Sequence, residues 1–199
     1  MLPMKNLPSF MQTHGQALIA HGYRPIPIRP GVKSPGSYSG GQWHDLARWQ
    51  QYGERQPTPF EMSAWQRWPG CAVGIACGNI AGLDIDVMDE ALACQIEALA
   101  FDMLGATPAI RIGQAPKRML VYATAEPFRG RKRKPIELYA IGSQFVAYAI
   151  HPVTGQPYAW PDQSLDAIPI SALPVVTEAQ AVAWLDAAYD LIQIGRAHV

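Results

Sequence analysis

The sequence has few charges, few cysteines and no long apolar run, and each shortage argues against a class of protein. Only 16% of the residues are charged and the formal net charge is zero, so any nucleic-acid surface must come from local clustering. The three cysteines, Cys71, Cys77 and Cys94, form no Cys-x-x-Cys pair, which disfavours a zinc site or a disulfide framework. No apolar run reaches transmembrane length and no signal peptide opens the chain, so we expect a cytoplasmic protein with free thiols and no membrane contact.

The composition that remains suits one globular domain. With 49% hydrophobic residues, a chain of 199 residues can bury a sizeable core, and we predict one domain with two lobes over residues 1–193. Its core is expected at roughly residues 70–160. The last six residues, 194–199, look like the translation of a sequencing adapter, and we predict a non-native tail there.

The organising stretch is Gly82-Leu83-Asp84-Ile85-Asp86-Val87. As a strand it places the apolar side chains on one face and Asp84 and Asp86 on the other. Two carboxylates at that spacing are able to share hard divalent cations through their oxygens. The alternative is an amphipathic edge strand whose acids lie in water.

Helical patterns flank a strand-rich middle, so we predict a mixed α/β chain of the α+β class. Helices are predicted over 9–22, 45–51, from 58 to about 68, over 89–104, and from Thr177 onward. Strands are predicted over 23–29 as an edge strand, 72–77, 82–87, 109–112, 118–124, 136–141, 144–150 and 156–160. Three hairpins should join 72–77 to 82–87, 109–112 to 118–124, and 136–141 to 144–150.

Further charged residues extend the proposed site. Glu137, on a predicted strand, supplies a third carboxylate for a two-metal phosphoryl-transfer centre with Asp84 and Asp86. Lys117 and Arg118 lie between these acids in sequence and could neutralise a triphosphate. Lys33, in a Gly/Pro loop, could meet a phosphate or simply lie in solvent.

Basic residues cluster in one part of this neutral chain. From Arg111 to Lys134 there are eight basic residues and one acid, a net charge of +7, whereas five acids and one arginine follow from Asp162 onward. The densest run, which we interpret as a connector over 127–134, contains Arg129, Arg131, Lys132, Arg133 and Lys134. We predict that this run contacts a nucleic-acid backbone without reading sequence. The alternative is a solvated loop.

The order and spacing of several short motifs make the chain, from about Gln16 to Trp160, resemble the bifunctional DNA primase/polymerase N-terminal (Prim-Pol) domain of the archaeo-eukaryotic primase superfamily. The motifs are Gly22-Tyr-Arg-Pro-Ile-Pro-Ile28, Lys33-Ser-Pro35, Val73-Gly-Ile-Ala-Cys-Gly78, Gly82-Leu-Asp-Ile-Asp-Val87 and His151-Pro-Val-Thr-Gly-Gln-Pro-Tyr-Ala-Trp160. The resemblance implies an RNA-recognition-type antiparallel or mixed sheet as the catalytic core, with a smaller N-terminal α/β lobe.

The resemblance also implies template-directed nucleotide addition with Mg²⁺ or Mn²⁺. Asp84 and Asp86 match the metal-binding acids of the family's first motif, and Glu137 matches the acid of the third. The second motif normally ends in histidine, whereas this chain has Gly113-Gln-Ala-Pro-Lys117-Arg118. Lys117 or Arg118 would then take over the triphosphate contact. Lys33 and His151 are candidates for further nucleotide contacts, and a turn histidine held by the backbone is the alternative for His151.

The expected partners are a single-stranded DNA template, nucleoside triphosphates and a downstream helicase domain. The expected setting is the replication of a phage, plasmid or integrated element. Two alternatives stay open at this stage: a Prim-Pol relative that binds DNA without polymerising, and another metal-dependent phosphoesterase built on a similar set of acids. His14, His21 and His44 have no clustered partner in the sequence, and we expect them to be structural.

Overall fold

The structure is a computed structural model that describes residues 9–197 and shows the expected α+β architecture. The helices are α1 (Phe10–Ala20), α2 (Pro59–Gln66), α3 (Glu90–Leu104) and α4 (Glu178–Ala197). The strands are β1 (Pro25–Ile28), β2 (Gly36–Ser39), β3 (Gln42–Asp45), β4 (Ala72–Ala76), β5 (Ile80–Ile85), β6 (Ile110–Arg111), β7 (Arg118–Thr124), β8 (Arg131–Arg133), β9 (Ile136–Tyr139), β10 (Gln144–Tyr148) and β11 (Val175–Val176). Among these residues, 3₁₀ helices lie at Trp49–Gly53, Leu165–Ala167 and Ile170–Ala172.

The first two helices begin where their sequences predict. The Ser9 side chain caps α1 by accepting a hydrogen bond from the backbone N–H of Gln12. At α2, Thr58 and Glu61 form a reciprocal capping box, in which each side chain accepts a hydrogen bond from the other residue's backbone N–H. These local contacts satisfy N–H groups that the first helical turn leaves without partners.

The largest sheet carries the candidate site. Its strands lie in the order β11-β7-β5-β9-β8, and β6 pairs with β7. All of these pairings are antiparallel except that of β11 with β7. Helices α3 and α4 pack against each other and against one face of the sheet, while the other face borders a cavity. Helices on one face of an antiparallel sheet are the α+β arrangement that the sequence predicts.

Two of the three predicted hairpins are wrong. Strand β4 pairs with β1 and β10 in a separate three-stranded sheet, so it is not the hairpin partner of β5. Likewise β9 pairs with β5 and β8, and the chain crosses to the other sheet before β10 begins. The third prediction is confirmed, because β6 and β7 are paired. As a result, residues of both sheets line the cavity described below, from β5, β7 and β9 of the largest sheet and from β10 of the other.

A third structural unit was not predicted. Strands β2 and β3 form a two-stranded hairpin, whose second strand ends at Asp45, where the sequence predicts the start of a helix. The predicted helix over 45–51 is therefore wrong, and only a 3₁₀ helix at Trp49–Gly53 remains of it. Strand β1 does lie at the edge of its sheet, as its two prolines predict, since proline cannot donate a ladder hydrogen bond.

The core consists of two groups of buried side chains. One group fills the space around α1, α2, β1, β4 and β10, and the other lies between the largest sheet and helices α3 and α4. Within residues 9–197, no helix is both long enough and apolar enough to span a membrane. Helix α4 continues into the predicted tail as far as Ala197, and the remainder of that tail lies outside the described residues.

Candidate active site

The three predicted acids lie on one face of the largest sheet. Asp84 on β5 is directly opposite Glu137 on β9, and this register places their side chains on the same face. Asp86 follows two residues later, where its backbone N–H still donates a hydrogen bond to Pro135 O on the neighbouring segment. All three side chains line one cavity. Their roles in metal binding and catalysis stay predictions.

A single row of residues crosses the sheet at the position of Asp84. The register pairs Lys132 with Glu137, Glu137 with Asp84, Asp84 with Met119, and Met119 with Arg111. The two carboxylates are therefore flanked by a basic side chain on either side of the row. Because neighbouring strands lie about 4.8 Å apart, these five side chains share one face within a short distance.

The cavity has a volume of about 500 Å³ and is mostly polar. It lies between the largest sheet and the segments around β10, the Lys33 loop and the His151 turn. Its lining includes the three acids and Lys33, Arg111, Gly113, Gln114, Lys117, Arg118, Met119, Tyr139, Gln144, Phe145, Val146, His151, Val153 and Tyr158. A cavity of this size can hold a nucleotide-sized ligand.

Asp84 carries its charge in an unfavourable environment. Burial raises the pKa of Asp84, the positive charge of Arg111 opposes this effect, and the neighbouring charges of Asp86 and Glu137 raise the pKa further. The nearest cation is Arg111, whose Nη2 lies 3.8 Å from Asp84 Oδ1. The clustered acids thus repel one another, which is the electrostatic situation that a bound divalent cation relieves.

Lys117 and Arg118 point in different directions. Lys117 Nζ lies 2.7 Å from Asp86 Oδ1 at the cavity. Arg118 is opposite Ile85 and therefore shares the helix-facing side of the sheet, and its guanidinium pairs with Glu97 of α3. Arg118 borders the cavity, but its charge is held on the far side by that ion pair. The geometry therefore favours Lys117 as the residue that can reach a phosphate.

Lys33 and His151 both line the cavity. His151 is only 4% exposed, and its Nδ1 accepts hydrogen bonds from the backbone N–H groups of Val153 and Thr154 at 3.3 Å each. Burial lowers the pKa of His151, and nearby positive charges, Lys33 first, lower it further. A neutral imidazole with Nδ1 as acceptor carries its proton on Nε2, which leaves that N–H as its donor. His151 is thus held by the backbone and also borders the cavity.

The donor set fits a hard divalent cation in its chemistry. Carboxylate oxygens are the ligands that Mg²⁺ and Mn²⁺ prefer, and three carboxylates share this cavity. Within residues 9–197, however, no three His, Cys, Asp or Glu side chains are gathered closely enough to form a ready-made metal centre. Each acid instead lies beside a basic side chain, including Glu137, whose Oε2 is 3.5 Å from Lys132 Nζ.

Arg111 is the main site residue that the sequence analysis missed. Its side chain is 12% exposed, its Nη1 donates a hydrogen bond to Val146 O at 2.5 Å, and its guanidinium lies 4.9 Å from the centre of the Tyr158 ring. A basic residue between Ile110 and Ile112 in a short apolar strand was the available signal, because such a residue needs a partner when the strand is buried. Tyr139, Gln144 and Tyr158 also line the cavity and were missed.

Gly113 allows the close packing at this end of the cavity. A Cβ atom built on Gly113 would lie 2.5 Å from Tyr158 Cε1 and 2.8 Å from His151 Cδ2. Both distances are shorter than a normal carbon contact, so only glycine fits here without displacing the two rings. The absence of a side chain at Gly113 therefore allows His151 and Tyr158 to lie this close to the backbone.

The basic run over 129–134 is not a plain connector, because its centre forms strand β8. Alternation along this strand divides its charges. Arg131 and Arg133 share the helix-facing side and pair with Glu178 and Asp186 of α4. Lys132 lies on the cavity side beside Glu137. Arg129 and Lys134 flank the strand and are exposed. Contact of the run with nucleic acid stays a prediction.

A second cavity adjoins the first. It has a volume of about 610 Å³, and Glu137 and Tyr139 line both cavities. Arg129 and Lys132 also line it, so part of the basic run borders the proposed site even though Arg131 and Arg133 face away. Of the predicted nucleic-acid-binding residues, these two line a cavity that Glu137 also lines.

His14, which we expected to be structural, has a partner that the sequence did not reveal. Its Nδ1 lies 2.7 Å from Asp166 Oδ2, and its ring stacks on Tyr148 with 3.8 Å between ring centres. The same aspartate accepts hydrogen bonds from Tyr148 and Ser164. Because Asp166 lies 152 positions away in sequence, this cluster could not be found by spacing. It joins α1, β10 and the segment after residue 163, and lies outside the cavity lining.

Comparison with known proteins gives one family. The family model for the bifunctional DNA primase/polymerase N-terminal domain, Prim-Pol, matches residues 15–176. A search of curated proteins found no match. The matched range contains every residue that lines the cavity with the three acids, and it covers well over half of the 199 residues. This chain therefore belongs to the Prim-Pol family of bifunctional DNA primase/polymerase N-terminal domains.

Proposed function

We propose that this chain is a metal-dependent nucleotidyltransferase that adds nucleotides to a growing strand opposite a single-stranded DNA template. Membership of the Prim-Pol family points to primase/polymerase-type activity. The observation that carries the finer proposal is the cavity itself, in which three carboxylates face three basic side chains, Lys33, Arg111 and Lys117. Such an arrangement can hold divalent cations on one side and a phosphate chain on the other.

In this proposal Asp84, Asp86 and Glu137 hold Mg²⁺ or Mn²⁺ through their carboxylate oxygens. The bound ions would supply Lewis-acid chemistry for displacement at the α-phosphate. Asp84 is suited to this role because its charge is largely buried and repelled by the other acids, and a cation would relieve that repulsion. The strand register fixes Asp84 and Glu137 side by side without loop motion.

The basic side chains would bind the triphosphate. Lys117 and Lys33 line the cavity and can neutralise phosphate oxygens, and His151 can donate its Nε2–H to one of them. Lys117 rather than Arg118 is assigned this role, because the Arg118 guanidinium is held by Glu97. Lys117 would thereby supply the contact that a histidine usually makes in the second family motif.

The template would run along the side of the sheet bordered by the second cavity. Arg129 and Lys132 line that cavity, and Lys132 lies next to Glu137, so they are the members of the basic run best placed to contact backbone phosphates. The proposal includes two further points about the setting of this domain. A helicase domain would follow it in the chain, and the protein would act in the replication of a phage, plasmid or integrated element.

A DNA-binding module without polymerase activity is the second candidate. The observation that favours it is that each acid already has a basic neighbour, at 3.8 Å for Asp84, 2.7 Å for Asp86 and 3.5 Å for Glu137. If these ion pairs were permanent, no divalent cation could bind. The absence of histidine from the 113–118 segment agrees with this alternative.

Primer extension on a single-stranded DNA template, with labelled ribo- and deoxyribonucleoside triphosphates and Mg²⁺ or Mn²⁺, tests the proposal. Wild type should extend the primer, and Asp84→Asn should not. Template binding without extension would support the DNA-binding module instead. Degradation of single-stranded DNA in the absence of nucleotides would point to a phosphoesterase.

A further inference from the structure

In the cavity lined by the three acids, ion pairs join groups to which the proposed function gives different ligands. Asp84 and Asp86 are the proposed cation ligands, and their partners Arg111 and Lys117 are the basic side chains nearest to them. The same four side chains line one cavity of about 500 Å³. A phosphate chain and its cations would therefore enter a space where the groups that should bind them are bound to each other.

Arg111 retains unused hydrogen-bonding capacity. Its Nη1 donates to Val146 O, and its Nη2 lies 3.8 Å from Asp84 Oδ1, which is too far for a good hydrogen bond. Its Nε is buried and has no hydrogen-bond partner among the described residues. A buried guanidinium with free N–H donors at a cavity wall is suited to donate hydrogen bonds to phosphate oxygens, which match its planar geometry.

The charges in the cavity balance only when it holds no ligand. The charge of Arg118 is already paired with Glu97. The remaining charges of the lining are three carboxylates, Asp84, Asp86 and Glu137, and three basic side chains, Lys33, Arg111 and Lys117, so their sum is zero. A phosphate chain bound alone would leave negative charge in excess, and cations bound alone would leave positive charge in excess. Like charges confined to one cavity repel each other, so the two kinds of ligand should favour each other's binding.

We propose that Arg111 and Lys117 are phosphate-binding residues which the acids hold in place until substrate arrives, so that cations and phosphate load the cavity together. On loading, Asp84 and Asp86 exchange their basic partners for cations, and Arg111 and Lys117 exchange carboxylate oxygens for phosphate oxygens. Either ligand must break the ion pairs in order to bind, which costs free energy. When both ligands bind, that cost arises only once. This inference rests on the proposed function, and it assigns Arg111 to the substrate site.

The test uses binding rather than activity. Mn²⁺ affinity without nucleotide is measured from the electron paramagnetic resonance signal of free Mn²⁺, and inorganic tripolyphosphate affinity is measured by calorimetry in EDTA. Lys117→Met should tighten Mn²⁺ binding about two- to fivefold, because Asp86 loses a competing partner. The same variant should weaken tripolyphosphate binding. Conversely, Asp86→Asn should tighten tripolyphosphate binding about two- to fivefold, because Lys117 is released.

A double-mutant cycle distinguishes ion-pair exchange from general charge repulsion. Asp86→Asn alone removes a proposed cation ligand, so its own Mn²⁺ affinity is the reference. Adding Lys117→Met to Asp86→Asn should leave that affinity nearly unchanged, because the ion pair no longer exists. Arg67→Met is the matched control, since Arg67 is an exposed cation at the end of α2 and lies outside the cavity lining. It should change neither affinity. Lys117 is suitable for this cycle because its side chain is 32% exposed, so its replacement should not prevent folding.

The outcomes separate the inference from the function on which it rests. If wild type binds Mn²⁺ and Lys117→Met does not tighten that binding, the exchange is wrong while the metal site stands. The exchange is also wrong if Lys117→Met tightens Mn²⁺ binding equally in the Asp86→Asn background. If wild type binds no Mn²⁺ at all, the metal site is wrong and the inference with it. For Arg111, Arg111→Gln should weaken tripolyphosphate binding in protein that still melts cooperatively, and unchanged binding would remove Arg111 from the site.

Discussion

The two faces of the largest sheet differ in polarity: one is apolar and packs against helices, and the other carries charged side chains. On the helix-facing side, Leu83 and Ile85 of β5 and Leu138 of β9 are nearly inaccessible and pack against α3 and α4. On the cavity side, the residues between them, Asp84 and Glu137, carry the charges. Fully burying one such aliphatic side chain contributes about 1.5–3 kcal/mol, whereas clustering like charges opposes folding.

The difference shows how a small sheet can tolerate an acid cluster. Because side chains alternate along a strand, each acid lies between two residues that bury apolar surface on the opposite face. The apolar face stabilises the strands and the acid face is left free for ligands. A substitution on one face should therefore change stability and function differently from a similar substitution on the other.

The largest effects should come from removing one carboxylate on each side of the sheet, Asp84 on the cavity side and Glu97 of α3 on the helix side. Asp84→Asn should reduce nucleotide addition by about 100-fold or more, because it removes a proposed cation ligand from a preorganised site. Metal-free Asp84→Asn should nevertheless melt at a higher temperature than wild type at neutral pH, because the pKa of Asp84 is raised in the fold even with Arg111 beside it. Arg111 lies 3.8 Å from Asp84 and keeps its hydrogen bond to Val146 O when the carboxylate is removed. Primer extension and thermal melts in EDTA measure the two effects.

Glu97→Gln is the matched control on the helix-facing side. Its side chain is 17% exposed, similar to 24% for Asp84, but it pairs with Arg118, whose side chain is 13% exposed. Removing the carboxylate leaves a mostly buried arginine without its partner and should cost about 3 kcal/mol. The folded fraction should retain metal binding. If both variants shifted the melting temperature in the same direction, the proposed division between the two faces would be wrong.

The sequence predicted the acid face because its signal is local. A period of two over 82–87 is enough to place Asp84 and Asp86 on one face, and no partner strand has to be known. Glu137 required only that its segment be a strand. The helix caps at Ser9, Thr58 and Asp89 were likewise predictable, since a cap depends on residues within one turn.

The partner strands could not be predicted in the same way. Neighbouring strands along a chain usually pair, and this tendency produced the incorrect hairpins of β4 with β5 and of β9 with β10. All five residues of β4 are buried, so its sequence does not alternate and gives no sign of which sheet it joins. Arg111 was missed for the same reason, because its meeting with Asp84 depends on which strands pair.

The next largest effect should come from filling the space at Gly113. Gly113→Ala should displace Tyr158 and His151, because its Cβ would lie within 3 Å of both rings. We expect nucleotide affinity to fall by about tenfold, a typical cost for misplacing a positioned contact. Fluorescent nucleotide titration measures this change.

Gly40→Ala is a suitable control for that substitution. Gly40 also lies in a tight segment, with φ of +58°, but nothing lies within 4 Å of its Cβ position and it is outside the cavity lining. Alanine there should cost about 1 kcal/mol of stability through backbone conformation. Nucleotide affinity should not change. An equal loss of affinity in both variants would mean that stability, rather than the positions of the two rings, controls binding.

The pH dependence of stability should distinguish Asp84 from a structural acid. Since folding raises the pKa of Asp84, its charge opposes folding above the folded pKa, and this cost disappears as pH falls towards the unfolded value of about 3.9. The stability gain of Asp84→Asn should therefore shrink on acidification. Urea unfolding in EDTA between about pH 4 and 8 measures it. A gain that did not vary with pH would contradict a raised pKa.

The stability contribution of Asp166 should depend on pH in the opposite direction to that of Asp84. Burial alone would raise the pKa of Asp166, but hydrogen bonds from His14, Ser164 and Tyr148 outweigh it, and the pKa is lowered. Its stabilising contribution is therefore present above the unfolded pKa of about 3.9 and is lost as pH falls through the lower folded value. Asp166→Asn should destabilise the protein at neutral pH, and the difference from wild type should vanish in acid.

The smallest effects should separate the two sides of β8. Arg131→Gln and Arg133→Gln remove exposed ion pairs with α4, at 3.2 Å in the case of Arg131 and Glu178. Each should cost less than about 1 kcal/mol of stability. Because these side chains face the helix, the salt dependence of template binding should be unchanged. Urea unfolding and fluorescence titration of single-stranded DNA at several salt concentrations test both statements.

Arg129→Gln combined with Lys132→Gln should give the reverse result. Both residues line the second cavity, and Lys132 is 76% exposed on the cavity side, so their loss should hardly affect stability. If they contact backbone phosphates, template affinity should fall for all sequences alike, and the slope of log affinity against log salt should decrease by roughly 0.7 for each lost contact with a single strand. The run of five basic residues would then consist of a template-binding part and a part that fastens β8 to α4. If all four substitutions lowered the slope equally, the density of charge along the run would matter more than the face on which each residue lies.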